Sequence, residues 1–311
     1  MFKTTYNMMK LKVKITPQTP LLVASGKTFD VTRPDIQFIR IVTRQGETVY
    51  IPGSSLKGVL RSGTEALLGE DDRWKTKICC TSEKMCHDLY RSKKDYRNKL
   101  PYKHHCPVCR MFGSGDLASR LEIADVYPFD FDDPDEKKKE KIDALQAMLT
   151  SRSGIKIDRK TGKTSPGALF QYEILGGGEL FGELTFTNYE LYQPGLLFML
   201  FDLSDEGFLR YGHSKSRGLG VLKFDIQSIK ILQMGKLKGK TLKGVGILSS
   251  PGKSETGYDF YLGGNDRIDR EYPCVENMLY STFHFIEKEA VREVAGLFKE
   301  KIDSFLSAFQ A

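Results

Sequence analysis

Five of the six cysteines fall between positions 79 and 109, and two of them form Cys106-Pro107-Val108-Cys109. Two residues between thiolates let both sulfurs face one tetrahedral ion, so this stretch is expected to close around a metal. A second ligand pair lies upstream. Cys80 and Cys86 are the preferred partners, with Cys79, His87, His104 and His105 as alternatives. Four thiolates leave no open coordination position, which predicts a structural Zn2+ and not a catalytic one. The opening MFKTTYNMMKLKVKI lacks the apolar core and cleavage site of a signal peptide, and no apolar run reaches the ~20 residues of a bilayer span. The expected location is the cytoplasm, with no membrane partner, where thiols stay reduced and disulfides are not expected.

Around this knot the chain alternates strand and helix signals. Leu11, Val13 and Ile15 alternate with Lys10, Lys12 and Lys14, the period of a strand with one buried face. Residues 38–42 and 48–51 read as further strands about a turn at 45–47, and a serine N-cap at Ser54 or Ser55 starts a helix that Gly69 stops. Residues 121–126 and 180–187 are strand-like, 141–149 and 194–203 helical, and 222–226 again a strand. Between them, residues 155–171 carry Asp158-Arg159-Lys160-Thr161-Gly162-Lys163, a basic hairpin tip. This order fits an α+β, ferredoxin-like sandwich with helices on one sheet face and the other face free. Residues 70–105 lack apolar periodicity. Between Lys84 and Lys103, seven Lys or Arg stand against two acids, the composition of an inserted basic finger. A closing amphipathic helix runs from Ile286 to Phe309.

The balance of 47 Lys and Arg against 40 Asp and Glu leaves +7, which permits a polyanionic partner. Its placement matters more than its size. Gly212-His213-Ser214-Lys215-Ser216-Arg217-Gly218-Leu219-Gly220 joins glycines to two cations, a combination suited to phosphate and equally to a turn needing positive φ. Pro52-Gly53-Ser54-Ser55-Leu56-Lys57-Gly58 with Arg61 sets hydroxyls and cations at a helix start, another candidate anion site. From Ile226 to Lys253 there are six lysines and no acid. Nothing matches a Ser/His/Asp triad, a Walker loop or a dinucleotide fingerprint. Asp30 and Asp35 remain as carboxylates that could do chemistry.

In this order the segments resemble the repeat-associated mysterious proteins (the RAMP superfamily), RNA-binding components of CRISPR effector complexes. The resemblance rests on residues 51–62, on Cys106-Pro-Val-Cys109-Arg110-Met-Phe-Gly113-Ser114 with Ala118-Ser119-Arg120-Leu121 and Asp125-Val-Tyr-Pro128, on Lys156-Ile-Asp158-Arg159-Lys-Thr-Gly162-Lys163, and on Ser216-Arg217-Gly218-Leu-Gly220. It implies an RRM-like palm over 1–230, with a zinc-binding finger insertion at 70–112 and a β-hairpin thumb at 154–172. Residues 231–311 would be a basic segment and C-terminal helical extension.

The same resemblance implies a backbone subunit of a type III effector. It would hold guide RNA beside other backbone subunits or copies of itself, with a large polymerase/cyclase-like subunit and a small subunit. Ser54, Ser55, Lys57, Arg61, Lys156, Arg159, Lys163, Lys215, Arg217, Gly218 and Gly220 would contact RNA. In the family's Asp-x-x-x-x-Arg pattern, here Asp35 to Arg40, the Asp drives cleavage of paired target RNA with Mg2+ or a similar ion, which makes Asp35 the first catalytic choice and Asp30 the second. Pro34 departs from the hydrophobic residue usual before that Asp, and His213 stands where glycine is common. The alternatives are a non-catalytic paralogue that holds guide RNA, a repeat-processing endoribonuclease of the same superfamily, and a zinc-stabilised RNA-binding module outside CRISPR.

Overall fold

The alternation that opens the chain becomes its central strand. β1 (Asn7–Pro17) buries Met9, Leu11, Val13 and Ile15 and turns its lysines outward. The computed structural model describes residues 4–27, 34–69, 78–81, 83–91, 100–235, 239–249 and 259–310. Asp30, residues 92–99 of the basic finger, and parts of the six-lysine segment (236–238 and 250–258) lie outside the described residues.

After β1 come β2 (Ala24–Lys27), β3 (Ile36–Phe38), β4 (Arg40–Thr43), β5 (Gly46–Val49) and α1 (Gly53–Leu67). The finger region contributes α2 (Cys86–Arg91) and α3 (Pro107–Phe112). There follow β6 (Leu121–Ile123), α4 (Asp135–Gln146), β7 (Leu149–Ile157), β8 (Thr164–Leu175), β9 (Leu180–Thr187), α5 (Tyr192–Asp205) and β10 (Leu222–Met234). The C-terminal part adds β11 (Thr241–Lys243), α6 (Val245–Leu248), β12 (Arg267–Glu271), β13 (Val275–Glu276), β14 (Tyr280–Phe285) and α7 (Lys288–Gln310).

The main sheet has the order β13-β14-β10-β1-β9-β6 and is antiparallel throughout. Four of its strands, β10-β1-β9-β6, with α1 between β1 and β6 and α5 between β9 and β10, form the βαββαβ arrangement of a ferredoxin-like fold. A second sheet, β2-β3-β8-β7, carries the long β7–β8 hairpin, and β3 joins β8 in parallel through Ile36 and Tyr172. Among the described residues, no helix is long and apolar enough to cross a membrane.

Several elements differ from the sequence expectation for local reasons. The strand expected over 38–42 breaks at Ile39, whose N–H donates to Val23 O at 2.8 Å, leaving β3 and β4 in different sheets. The helix expected at 141–149 begins earlier, at Asp135, behind Pro134 and with Asp135 and Glu136 in its first turn, where carboxylates favour the helix dipole. Its expected end is strand instead, because Leu149 pairs with Leu175 and extends the hairpin beyond 154–172. The basic segment from 226 starts as strand, since β14 pairs along the outer edge of β10 from Ile229 to Met234. The C-terminal extension is therefore not helix alone. Nor is the sheet's outer face free: Lys12 reaches Asp130 and Asp132, so residues 127–133 lie against it.

Helix α7 packs on α5 at Gly195, where a Cβ would stand 2.2 Å from Phe298 O. Only hydrogen fits. Gly195→Ala should therefore lower folding stability by about 2–4 kcal/mol, read as a reduced denaturation midpoint, whereas Gly58→Ala, with nothing within 4 Å, should leave it unchanged or higher.

Candidate metal centre and nucleic-acid interface

Cysteine spacing and chain reversal together build a closed thiol cluster. Cys106 is the N-cap of α3, and its sulfur accepts from Cys109 N–H at 3.5 Å, which turns both sulfurs to one side. Cys80 Sγ lies 3.5 Å from Cys106 Sγ and 3.4 Å from Cys109 Sγ. Cys86 Sγ completes the group and accepts from Cys106 N–H at 3.2 Å. All four ligand atoms lie within 4.8 Å of one another. A regular ZnS4 site with Zn–S near 2.3 Å has S···S edges of about 3.8 Å, so the thiols are spaced to hold a metal such as zinc. Hydrogen bonds to Cys106 and Cys109 push the Cys80 thiol up, while those from Cys109, Cys80 and Cys86 pull Cys106 down. A divalent ion bound there would take the place of the thiol protons.

The alternative ligands point elsewhere. Cys79 donates towards Glu65 O at 3.7 Å. His87 accepts from Gly115 N–H at 3.3 Å and sits 3.2 Å from Asp88. His105 is buried with Nδ1 3.1 Å from Pro101 O, and His104 closes the turn Tyr102–His104.

Helix α1 runs from the sheet towards this cluster. Pro52 occupies its N-cap and makes no side-chain cap. The expected serine cap is replaced by Asp125, whose Oδ1 accepts from Gly53 N–H at 2.9 Å. Ser54 is left exposed and Ser55 half-buried. Lys57 turns inward, donating to Ser119 Oγ at 2.8 Å and Leu121 O at 2.9 Å, and burial lowers its pKa. Arg61 donates to Glu65 at 2.9 Å, to Gly113 O at 2.9 Å and towards Cys109 Sγ at 3.8 Å. Apart from Glu65, the contacts of both cations thus lie along the cysteine-bearing segment and the chain leaving it.

Three other segments do converge. Leu22, Tyr172, Ile174 and Leu219 are buried against one another, with Ile36 and Phe170 packed on them. This small cluster joins the base of the hairpin, the strand that follows Asp35 and the foot of the glycine-rich loop. Asp35 is exposed, and its Oδ2 accepts from Gln171 N–H at 2.7 Å. Arg40 is not its partner: the guanidinium pairs with Glu173 Oε1 at 2.7 Å.

The loop owes its shape to backbone geometry. Gly212, Ser214, Gly218 and Gly220 all have positive φ, and a Cβ on Gly212 or Gly220 would meet Leu22 O or Tyr211 O at about 2 Å. His213 N–H donates to Leu22 O at 2.8 Å and Gly220 N–H to Pro20 O at 3.0 Å, leaving Lys215, Ser216, Arg217 and Gly218 exposed at the crest. On the hairpin, Asp158 Oδ1 accepts from Lys160 and Thr161 N–H and folds the tip. Lys156, Arg159 and Lys163 are exposed, as are Ile155, Ile157 and Leu169.

Sequence reasoning missed Asp125, Gln171 and Glu173. Asp125 lies in a motif already singled out, and a carboxylate just after a strand that meets a bare helix start is a readable signal. The Gln171 contact comes from a backbone amide, which no side-chain pattern announces.

The family model of the RAMP superfamily matches residues 14–223. No curated protein matches the sequence at a significant level. Among solved structures, similarity is found to a chain of the Type III-B Cmr-beta bound to cognate target RNA, at 15% identity and a TM-score of 0.41, covering 70% of this chain and 96% of that one. A chain of the Type III-B Cmr-beta in its apo state is similar at 16% identity and a TM-score of 0.42, with the same coverages.

Protein purified without chelator should carry one metal ion per chain. Cys80→Ser should lose it on dialysis while Cys79→Ser keeps it, as elemental analysis would read; equal retention in the two variants would exclude Cys80 as a ligand.

Proposed function

The chain belongs to the RAMP superfamily, and on that premise we propose that it is a guide-RNA-holding backbone subunit of a type III CRISPR effector, with Zn2+ in the four-cysteine site and Asp35 at the point where paired target RNA is cut. The observation that carries this reading is the convergence of hairpin, glycine-rich loop and Asp35 strand on one apolar cluster. It joins two segments that carry exposed cations to the strand that follows Asp35. Among the described residues, Lys156, Arg159, Lys163, Lys215 and Arg217 form no ion pair, so their charge is available to phosphates. Ile155, Ile157 and Leu169 beside them offer an apolar wedge against which a displaced base can rest. Sequence would be read by base pairing, with the protein gripping backbone and shape.

In this reading the nucleophile comes from the target, whose 2′-hydroxyl attacks its own phosphate once the strand is bent into line. The hairpin would impose that bend. Asp35 keeps Oδ1 for the reaction while Oδ2 holds the Gln171 amide, so its carboxylate is aimed by the base of the hairpin itself. It is suited to accept the hydroxyl proton. A single carboxylate also fits Mg2+, which takes one or two protein ligands and completes its shell from phosphate oxygens and water. That ion would supply charge stabilisation at the phosphate.

The Gln171 contact also favours a second reading, in which Asp35 serves only to hold the hairpin and the subunit is a scaffold. Asp35→Asn separates the two, because an amide oxygen still accepts from Gln171 while the charge is gone. With guide RNA bound, it should cut paired target at least ~100-fold more slowly at unchanged target affinity. Undiminished cutting would leave the scaffold reading. Replacing Lys156, Arg159 and Lys163 together with alanine should weaken guide binding and flatten its salt dependence by ~0.7 for each phosphate that these cations had neutralised, measured by titration at several salt concentrations.

A further inference from the structure

We propose that Arg110 couples the metal centre to the C-terminal part of the chain, so that residues 259–266 dock more tightly on the palm while the four cysteines hold their ion. The inference rests on the metal reading above and concerns a segment outside the RNA-facing residues. Arg110 directly follows Cys109 on α3, and its side chain is 2% exposed. Nε donates to His105 O at 2.9 Å, Nη2 to Lys103 O at 3.1 Å and Nη1 to Asp259 O at 2.6 Å. The guanidinium carbon lies 4.6 Å from the Tyr102 ring centroid and 4.1 Å from that of Tyr261. Glu190 Oε2 is 3.8 Å away, and Glu190 Oε1 accepts from Leu262 N–H at 2.9 Å.

One side chain thus bridges three parts of the molecule. Two of its carbonyl acceptors and one of its rings belong to residues 102–105, which lead straight into Cys106. The third acceptor and the other ring belong to 259–261. Glu190, at the start of α5, ties both to the palm. Residues 102–105 hold their positions because the chain on either side is pinned at the thiols, with Cys86 accepting from Cys106 N–H. Without the ion, Cys80 and Cys86 are held against Cys106 and Cys109 by thiol contacts and by packing with Met85 and Leu100, which yield more readily than metal–thiolate bonds. The Lys103 and His105 carbonyls then leave the guanidinium, and a buried cation stripped of acceptors moves to water. Asp259 O loses its donor and Tyr261 the cation on its ring face, while Tyr261 keeps its ring contacts with Tyr192 and Phe305.

A second latch limits the damage. Asp266 accepts from Leu191 N–H at 2.8 Å and from Gly246 N–H at 2.9 Å, and β14 remains paired with β10. The loosening is therefore confined to 259–266.

Hydrogen exchange on the full chain tests this, with zinc content measured on the same samples. Chelation of zinc should speed exchange at Leu262 and its neighbours by about tenfold or more, while amides of β1 and β14 stay protected. Arg110→Met should give the same acceleration with one zinc per chain still bound. Acceleration confined to 78–112 on chelation, or a protected Leu262 in zinc-loaded Arg110→Met, would overturn the coupling while leaving the metal reading intact. Absence of zinc from the purified protein would overturn both. Should Arg110→Met fail to fold, Arg110→Lys keeps the charge without the three-carbonyl grip and must show the same acceleration.

Discussion

Everything in this chain is hung on β1, which pairs with β10 from Asn7↔Gln233 to Pro17↔Leu222 and with β9 from Met8↔Thr187 to Ile15↔Leu180. Partners so distant in sequence cannot form until the intervening chain has been gathered in, so the two ladders fix where every insertion must sit. Their register also decides which face is apolar. A slip of one residue would send Met9, Leu11, Val13 and Ile15 outward and bury three lysines. The finger leaves the palm between α1 and β6, the hairpin between α4 and β9. Neither belongs to the βαββαβ frame, and each is closed by a device of its own, thiols in one case and a paired ladder in the other.

The frame was legible because burial is periodic along it. Lys10, Lys12 and Lys14 mark the outward face of β1 as plainly as the aliphatic residues mark the inward one. The four-cysteine set was legible as well, since Cys106 and Cys109 demand a second pair and the chain offers few. What the sequence hid were contacts between a side chain and a backbone amide or carbonyl. Asp125 at Gly53, Asp35 at Gln171, Lys57 at Leu121 and Arg110 at Asp259 all have a main-chain atom as partner, and main-chain atoms are the same at every residue. Lys57 and Arg61 show the cost of reading charge without direction: a cation one or two turns into a helix faces whatever packs there, and here that is the cysteine-bearing segment and the chain leaving it. The strands of the C-terminal part were hidden for a different reason. β13 spans only two residues, and β14 exists because β10 offers an open edge.

Charge tells a related story. Lys10 pairs with Glu183 at 2.8 Å, Lys14 with Glu179 at 3.0 Å, and Lys12 with both Asp130 and Asp132. Such exposed pairs add little stability, because water and salt screen them. Their effect is on the field. They cancel the positive face that the sheet would otherwise show, since each ammonium is matched by a carboxylate beside it and the pair carries no net charge towards a polyanion. The cations of the hairpin and the loop are not cancelled in this way. The modest excess of +7 is thus an average over paired lysines on the sheet and exposed cations on the hairpin and the loop, two segments whose feet meet where Leu22, Tyr172, Ile174 and Leu219 pack.

That packing sets the relation between the two halves of the proposed RNA site. The hairpin tip lies well out on its ladder, where small rotations at the base become large displacements, yet the base is held at three points: Leu21 bonds to Leu175, Ile36 pairs with Tyr172, and Asp35 takes the Gln171 amide. A carboxylate that steadies the hairpin from its own strand moves with the hairpin. The geometry between the wedge that would displace a base and the group that would receive a proton is therefore preserved as the tip adjusts to its strand, which is what in-line attack on a bent phosphate requires.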